Sequence, residues 1–567
     1  MKKKVIPAIF IIVLIIIIGA IYAGQIVYQH YSYSNERVDL NSYFKIADDQ
    51  DTAIILQNSL IKERAKYIDG YYYMDFDSVQ KYLNDRFYYG EADNSLFYAT
   101  ASKVFISEIG SKSWTDSDGG QGNEEYVISR LEGETLYLAL DYVKKFTNFF
   151  YKGYDDYRHI QLTTEWEEQN VATVIKDTQL RIRGGVKSEI LIDLPKDSKL
   201  IVLEEFENWC KVKSEDSYIG YVELKRMSEI TTETPEPVSD YVPEEYTSIS
   251  RDHKINLGFH AVAAAAGNDT LYSMIENTKS LNVIAPTWYN IESEDGTIRS
   301  FASASYVKTA HDKGLEVWAV VDNFNGSKDF SSSQFLSKYE NRKRAIDSLV
   351  AEAVELGIDG INVDFETIAA ADGQSFVEFV REISIACRKA GLVLSIDNYV
   401  PFNFNNYYDL GEQGVVADYV IIMGYDEHYA GSAEAGSVAS LTYVENGIIN
   451  TLKDVDASKV INALPFYTRI WHTSGNTLSS EAVGMQTANE YVKNHNLDMT
   501  WDANCGQNYG EYTSSDGTLN QIWLEDAESI QAKLNSMKAN NIAGVAAWRL
   551  GYETPDIWDV IAAYING

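Results

Sequence analysis

Cysteine is nearly absent from this chain: three in 567 residues, Cys210, Cys387 and Cys505. They stand far apart and without metal-ligand spacing, which argues against a disulfide framework and against a zinc site. None falls in the first 200 residues, which excludes a lipid-modified N-terminal cysteine. Basic residues are also scarce, with 48 Lys and Arg against 83 Asp and Glu, a net charge of −35. Nucleic acid demands a basic surface to meet its phosphates, so that class of partner is not expected. The balance suits a solvated, secreted protein. Proline is sparse (nine), and Pro235, Pro237 and Pro243 fall together in a Glu- and Thr-rich stretch of little apolar periodicity. Such a stretch favours extended backbone and reads as a semi-stiff linker over 229–250.

What is present is apolar enough for real cores (45%) and rich in tyrosine, with 40 residues. The length predicts two to four domains. Lys2-Lys3-Lys4 leads a mostly apolar run from Val5 to Ala23 that continues weakly to Tyr28. A signal-peptide core is about 7–15 residues and a membrane span about 20, so residues 1–35 read as a signal anchor crossing the membrane through 5–28, with cleavage near Ala23 as the alternative. The positive-inside rule keeps the lysines cytoplasmic and puts the remainder outside the cell, in a single-pass topology.

Residues 36–169 mix short strand-like and helical patterns. Gly70–Asn84 looks like a strand entering a helix, Ser95–Thr100 like a strand, and Gly133–Phe146 echoes the first pattern, a weak internal duplication. The segment resembles the stalk-like α+β module at the N-terminus of some copper amine oxidases and of many bacterial surface proteins. No histidine cluster accompanies it, so copper chemistry is not implied. Residues 171–228 read as a small β-barrel with strands at Leu180–Arg183, Lys199–Leu203, Trp209–Val212 and Ile219–Val222. It looks like a bacterial Src-homology-3-type module. That resemblance implies a site for cell-wall peptide; the alternative is a spacer with Trp209 in its core.

Residues 251–567 alternate strands with helices, the mark of a parallel sheet. Strands are expected at Ile255–Phe259, Val283–Thr287, Glu316–Asp322, Gly357–Asp364, Val393–Tyr399, Tyr419–Gly424, Val460–Pro465 and Gly544–Trp548. Eight βα units predict a (β/α)8 TIM barrel, with its site at the C-terminal ends of the strands. Phe466–Asn520 is too long for a loop and is expected to form an inserted α+β subdomain beside that face. Cys387 shares one helical face with Phe376, Phe379, Val380 and Ile383 and reads as core.

One strand in this alternation is chemically odd. In Asp359-Gly-Ile-Asn-Val-Asp-Phe-Glu366, alternation puts Asn362, Asp364 and Glu366 on one face, about 7 Å apart in succession. Ile361, Val363 and Phe365 take the other. Buried carboxylates without partners are very unfavourable, so an internal strand carrying this row needs a reason; a solvated edge strand is the bland alternative.

The octapeptide resembles the DGxDxDxE signature of glycoside hydrolase family 18. Met423-Gly-Tyr-Asp426 matches that family's MxYD at the sixth strand, and Trp548 its eighth-strand tryptophan. Leu464–Arg469 and Trp523–Ser529 resemble the bacterial cell-wall and spore-cortex-lytic branch. The resemblance implies catalysis by Glu366, Asp364 and Tyr425 without a cofactor or metal. Glu366 would protonate the leaving oxygen. The substrate's own N-acetyl carbonyl would attack the anomeric carbon, with retention. Asp364 would orient that group, Tyr425 would donate to its carbonyl, Trp548 would floor the subsite, and Met423 and Asp426 would line it. Asn362 departs from the signature, which has an acid there, so the hand-over of Asp364 between acid partners is altered.

Further substrate contacts are expected from Asn398, Tyr399, Tyr467, Arg469 and Trp288. Arg469 is a candidate for an acidic group such as a lactyl carboxylate, and His428 is a loop residue that could touch sugar. The implied partner is an N-acetylated β-1,4-glycan, with peptidoglycan cut after N-acetylglucosamine favoured for an outward-facing protein. The alternatives are a chitinase or chitooligosaccharide hydrolase, and a catalytically weak carbohydrate-binding wall protein.

Overall fold

The computed structural model describes residues 5–154, 158–239, 241–325 and 330–567. Lys2-Lys3-Lys4 lies outside the described residues. The chain divides into two compact units: 1–86 with 109–113 and 123–243, and 87–108 with 114–122 and 244–567.

The first unit begins with a helix, Val5–Tyr31. Its 23-residue stretch Ile9–Tyr31 has a mean hydropathy of 2.7 and none of it is buried, so it is long and apolar enough to cross a membrane. Two seven-stranded sheets follow. One carries Asp51–Leu56 paired in parallel with His159–Thr163 and antiparallel with Ser59–Ile68. The other is antiparallel and is built from the strands between Gln169 and Glu233. Its core gathers Leu180, Leu191, Leu200, Val212 and Val222 around the buried Cys210. Thr231–Glu233, inside the proline-rich segment, pairs with Gln169–Thr173; 241–251 carries no regular element.

The second unit is a closed barrel of eight parallel strands: β1 (Ile255–His260), β2 (Val283–Ile291), β3 (Glu316–Asp322), β4 (Gly360–Asp364), β5 (Val393–Tyr399), β6 (Tyr419–Met423), β7 (Val460–Pro465) and β8 (Gly544–Trp548). Each pairs with the next, and β8 pairs with β1 to close the ring. Alternation sorts the strand side chains into two cores. Ile361, Val363, Leu394, Ile396, Val420 and Ile422 face the helical layer, where Phe376, Phe379, Val380 and Cys387 of helix Gly373–Ala390 meet them. Leu257, Val283, Trp318, Val320, Val393, Ile421 and Ile461 fill the lumen. Gly360 starts β4 because a Cβ there would stand 2.8 Å from the Val393 carbonyl oxygen. After β7, Tyr467–Ser474 opens an inserted antiparallel sheet of five strands with the helix Met485–Asn494. The expected TIM barrel with an inserted α+β subdomain is therefore the fold of this unit. Segment 87–122 contributes most of a small antiparallel sheet to the same unit, where Tyr88 bonds Ser375 and Phe97 packs on Tyr339.

Candidate active site

The octapeptide divides by function along its length. Asp359, before β4, accepts from His311 Nε2 and from the Val317 amide at 2.8 Å each, so it ties the N-terminal ends of the strands. Asn362 and Asp364 lie buried on the other face of β4 from Ile361 and Val363, and Glu366, just past the strand end, is half-buried. Above the apolar plug the lumen thus turns polar at its C-terminal mouth.

Glu366 is fixed on both sides. Its amide donates to Asn323 Oδ1 and its carbonyl accepts from Asn323 Nδ2, both at 2.9 Å. The Tyr399 hydroxyl donates to Glu366 Oε2 at 2.7 Å and itself accepts from the Thr367 amide. Burial raises the carboxyl's pKa; the Tyr399 bond opposes this, and the charges of Asp426 and Asp322 add to it. Asp364 is held far above the usual carboxylate range, first by burial and then by the charges of Asp397, Glu366 and Asp322. Its Oδ1 has no hydrogen-bond partner among the described residues, and neither has Asn362 Oδ1. Such orphaned buried oxygens are open to a partner from outside the protein, substrate or water.

The sixth strand delivers Met423, Tyr425 and Asp426. Met423 is buried at the strand end. Tyr425 senses the charges of Asp364, Asp397 and Glu366, so its phenol stands among the acids, and burial keeps it protonated. Asp426 adopts a left-handed backbone, φ 59°, and accepts from the Tyr467 hydroxyl. Trp548, at the end of β8, is half-buried with its ring 5.6 Å from that of Phe259. Arg469 donates to Ser480 Oγ in the inserted sheet and acts electrostatically on Tyr467. His428 Nδ1 pairs with the Ser437 carbonyl.

Two expected contacts lie elsewhere. Trp288 is fully buried on the helix-facing side, with Ile284; its indole donates to Asn268 Oδ1 and its ring packs on Tyr306, leaving no open face for a sugar. Asn398 is buried and exchanges hydrogen bonds with Gln413 of the helix Leu410–Val416. Its neighbour Asp397 is the one that enters the lumen, where Asn362 Nδ2 donates to Asp397 Oδ1 at 2.9 Å and to Ser395 Oγ at 3.0 Å. Burial pushes the Asp397 carboxyl up to about 8, against the Asn362 bond and with Glu366 adding its charge. Asp397, Asn323 and Asp322 were legible in principle: Val393, Ser395 and Asp397 alternate on one strand face, and Asp322-Asn323 ends β3 as Asp364 ends β4. Among the described residues, no group of three or more His, Cys, Asp or Glu is arranged to hold a metal ion.

Two carboxyls whose pKa burial pushes upward, beside a buried tyrosine, suit proton donation to a leaving oxygen, with hydrogen-bonding capacity left over for a substrate amide. The pattern of the glycosyl hydrolases family 18 matches residues 241–553. An uncharacterized glycosylase of Bacillus subtilis is 28% identical over 294 residues, half of this chain and 84% of that protein. A cortical fragment-lytic enzyme of the same organism is 26% identical over 234 residues, 40% of this chain and 54% of the relative. In structure, the C-terminal domain of a putative chitinase from Desulfitobacterium hafniense shares the fold, with a TM-score of 0.50 at 21% identity over 56% of this chain and 99% of that one. By a match that covers more than half its length, with the signature acids gathered at one barrel mouth, this chain belongs to glycosyl hydrolases family 18 and is a glycosidase.

Proposed function

We propose that the protein cleaves the β-1,4 bond after N-acetylglucosamine in peptidoglycan, outside the cell, by a retaining mechanism in which the substrate's N-acetyl group is the nucleophile. The supporting observation is the unpartnered Oδ1 of the buried Asp364, beside Tyr425 and below Glu366. In this reading Glu366 gives its proton to the glycosidic oxygen as the bond to C1 breaks. The acetamide carbonyl oxygen attacks C1 from the opposite face, and Tyr425 donates to that oxygen. The acetamide N–H bonds the free oxygen of Asp364, which carries the negative charge as the nitrogen becomes positive. Water, deprotonated by Glu366, then opens the ring intermediate, and configuration is kept. Trp548 floors the sugar, with Met423, Asp426 and Tyr467 around it.

Peptidoglycan is favoured over chitin by the apolar N-terminal helix, read as an anchor through residues 5–28, and by the sheet module at 171–228, read as a Src-homology-3-type domain that meets wall peptide. The lactyl ether of N-acetylmuramic acid would crowd the subsite around Asp364, which selects N-acetylglucosamine there.

The test is product analysis. The protein is incubated with purified peptidoglycan, the fragments are reduced with borohydride, and the new ends are identified. Reduced N-acetylglucosamine is expected. Reduced N-acetylmuramic acid would overturn the linkage, rapid release from chitin oligomers but none from peptidoglycan would assign a chitinase, and tight sugar binding without release would assign a lectin.

A further inference from the structure

The signature position that carries an acid in the family pattern carries Asn362 here, yet the lumen is not one acid short. Asn362 reaches across to β5 and donates to Asp397 Oδ1 at 2.9 Å and to Ser395 Oγ at 3.0 Å. The register of the two strands is Asn362 opposite Ser395 and Val363 opposite Ile396. One step further, Asp397 stands level with Asp364, about 4.8 Å away across a parallel pair. Asp397 is 3% exposed, and among the described residues it has no ion pair. An isolated buried carboxylate is too unfavourable to persist. Two of them side by side cannot both ionise and hold a proton between them.

We propose that Asp397 is a positioning residue for this site: it keeps the proton that a β4 acid at position 362 would otherwise keep, and so frees Asp364 to ionise toward the substrate's acetamide nitrogen. The acid has moved one strand along the barrel, and Asn362 is the hinge pin that holds it there. The step conserves atoms and charge. The shared proton passes from Asp364 to Asp397 when the acetamide N–H binds, and returns when the product leaves. Asp397 touches neither the glycosidic oxygen nor C1. The groups that face this pair are Glu366 on the same side of β4, Asp322 from β3 and Tyr425 beyond β6. Burial pushes Asp397 up to about 8, so it can take the shared proton from Asp364 at neutral pH.

The inference rests on the substrate-assisted reading, so the experiment separates the two. In the full chain, Asp397→Asn removes the proton acceptor while keeping the shape, and a second variant combines Asp397→Asn with Asn362→Asp, which exchanges acid and amide across the strand pair. The single variant is expected to lose about tenfold to a hundredfold in kcat, with KM little changed. The exchange variant is expected to recover most of that loss and the wild-type pH profile. The exchange also restores the amide-to-carboxyl hydrogen bond, so the pH profile is the discriminating readout: a purely structural role lowers the single variant's whole profile and its melting midpoint without moving the limbs. The proposal fails if the single variant keeps kcat and its pH profile, or if the exchange variant is as slow as the single one while both melt near the wild type. The mechanism itself is tested on the wild type with a chitobiose-derived thiazoline, a mimic of the bicyclic intermediate. Inhibition with no recovery in the exchange variant sinks Asp397 alone; insensitivity to the thiazoline sinks the substrate-assisted reading.

Discussion

The barrel unit buries two sets of acids, and they differ in their company. In the helical layer the buried carboxylates Glu378, Glu382 and Glu525 each meet a cation. Arg342 forks onto Glu382 at 2.9 and 2.7 Å, Arg381 bonds Glu412 at 2.7 Å and Glu378 at 3.2 Å, and Lys533 bonds both oxygens of Glu525 at 2.8 Å. In the lumen, Asp364, Asp397, Glu366 and Asp322 have no ion pair among the described residues; amides and hydroxyls partner the last three. A cation favours the charged form of a buried acid, although burial still leaves Glu382 at about 7 beside Arg342. A neutral donor leaves a buried acid able to exchange a proton. The same cost of desolvation therefore yields a clamp in one place and an acid–base site in the other.

The widest break in that comparison is Glu366→Gln. The amide keeps the Tyr399 contact and loses the proton. We expect kcat to fall about 10²–10⁴-fold with an unchanged melting midpoint. Arg342→Met inverts the outcome. It strands Glu382, so stability should fall by about 3–5 kcal/mol in chemical denaturation, while kcat per folded molecule stays at the wild-type value. If Glu366→Gln melted low or Arg342→Met were slow but stable, the distinction between clamp and site would not hold.

The third prediction concerns pH. An unfolded aspartate titrates near ~4, and burial puts Asp397 at about 8. Below ~4 both states hold the proton and the group is without effect. Between those values the folded chain keeps a proton that the unfolded chain releases, so stability falls as pH rises, by at most about 1.4 kcal/mol per unit, and levels off above the folded value. Asp397→Asn should flatten this slope in urea titrations from pH 5 to 8. An unchanged slope would mean that Asp397 takes no part in holding that proton.

The frame of this site was legible in the sequence because it rests on periodicity. The limits of β3, β5, β7 and β8 follow from apolar runs bounded by turn residues, and the row Asn362-Asp364-Glu366 follows from a period of two. Side-chain destinations were less legible. Asn398 stands at a strand end, but parity turns it outward and brings Asp397 in. Trp288 shares the outward side with Ile284, and the register shift after Thr287 turns Tyr289 and Ile291 outward as well, so the end of β2 feeds the core. The cations of the helical layer could not be found at all, since Arg342 and Glu382 come from two helices whose packing angle is not written in either.

The finest test is Tyr399→Phe, which touches the lumen set without removing an acid. Its hydroxyl donates to the ionised form of Glu366 and so favours the loss of the proton, against burial and the neighbouring charges. Without it, Glu366 should hold its proton to higher pH. The acid must be protonated to cleave, so the basic limb of the pH profile should move upward. One hydrogen bond of this kind is worth about 0.5–1.5 kcal/mol, hence a change of roughly two- to tenfold at the optimum. The hydroxyl also accepts from the Thr367 amide, so part of any loss is positional. The direction of the limb separates the two effects. A purely positional role lowers the whole profile and leaves its limbs in place, whereas release of a carboxylate from its donor shifts one limb and only that one.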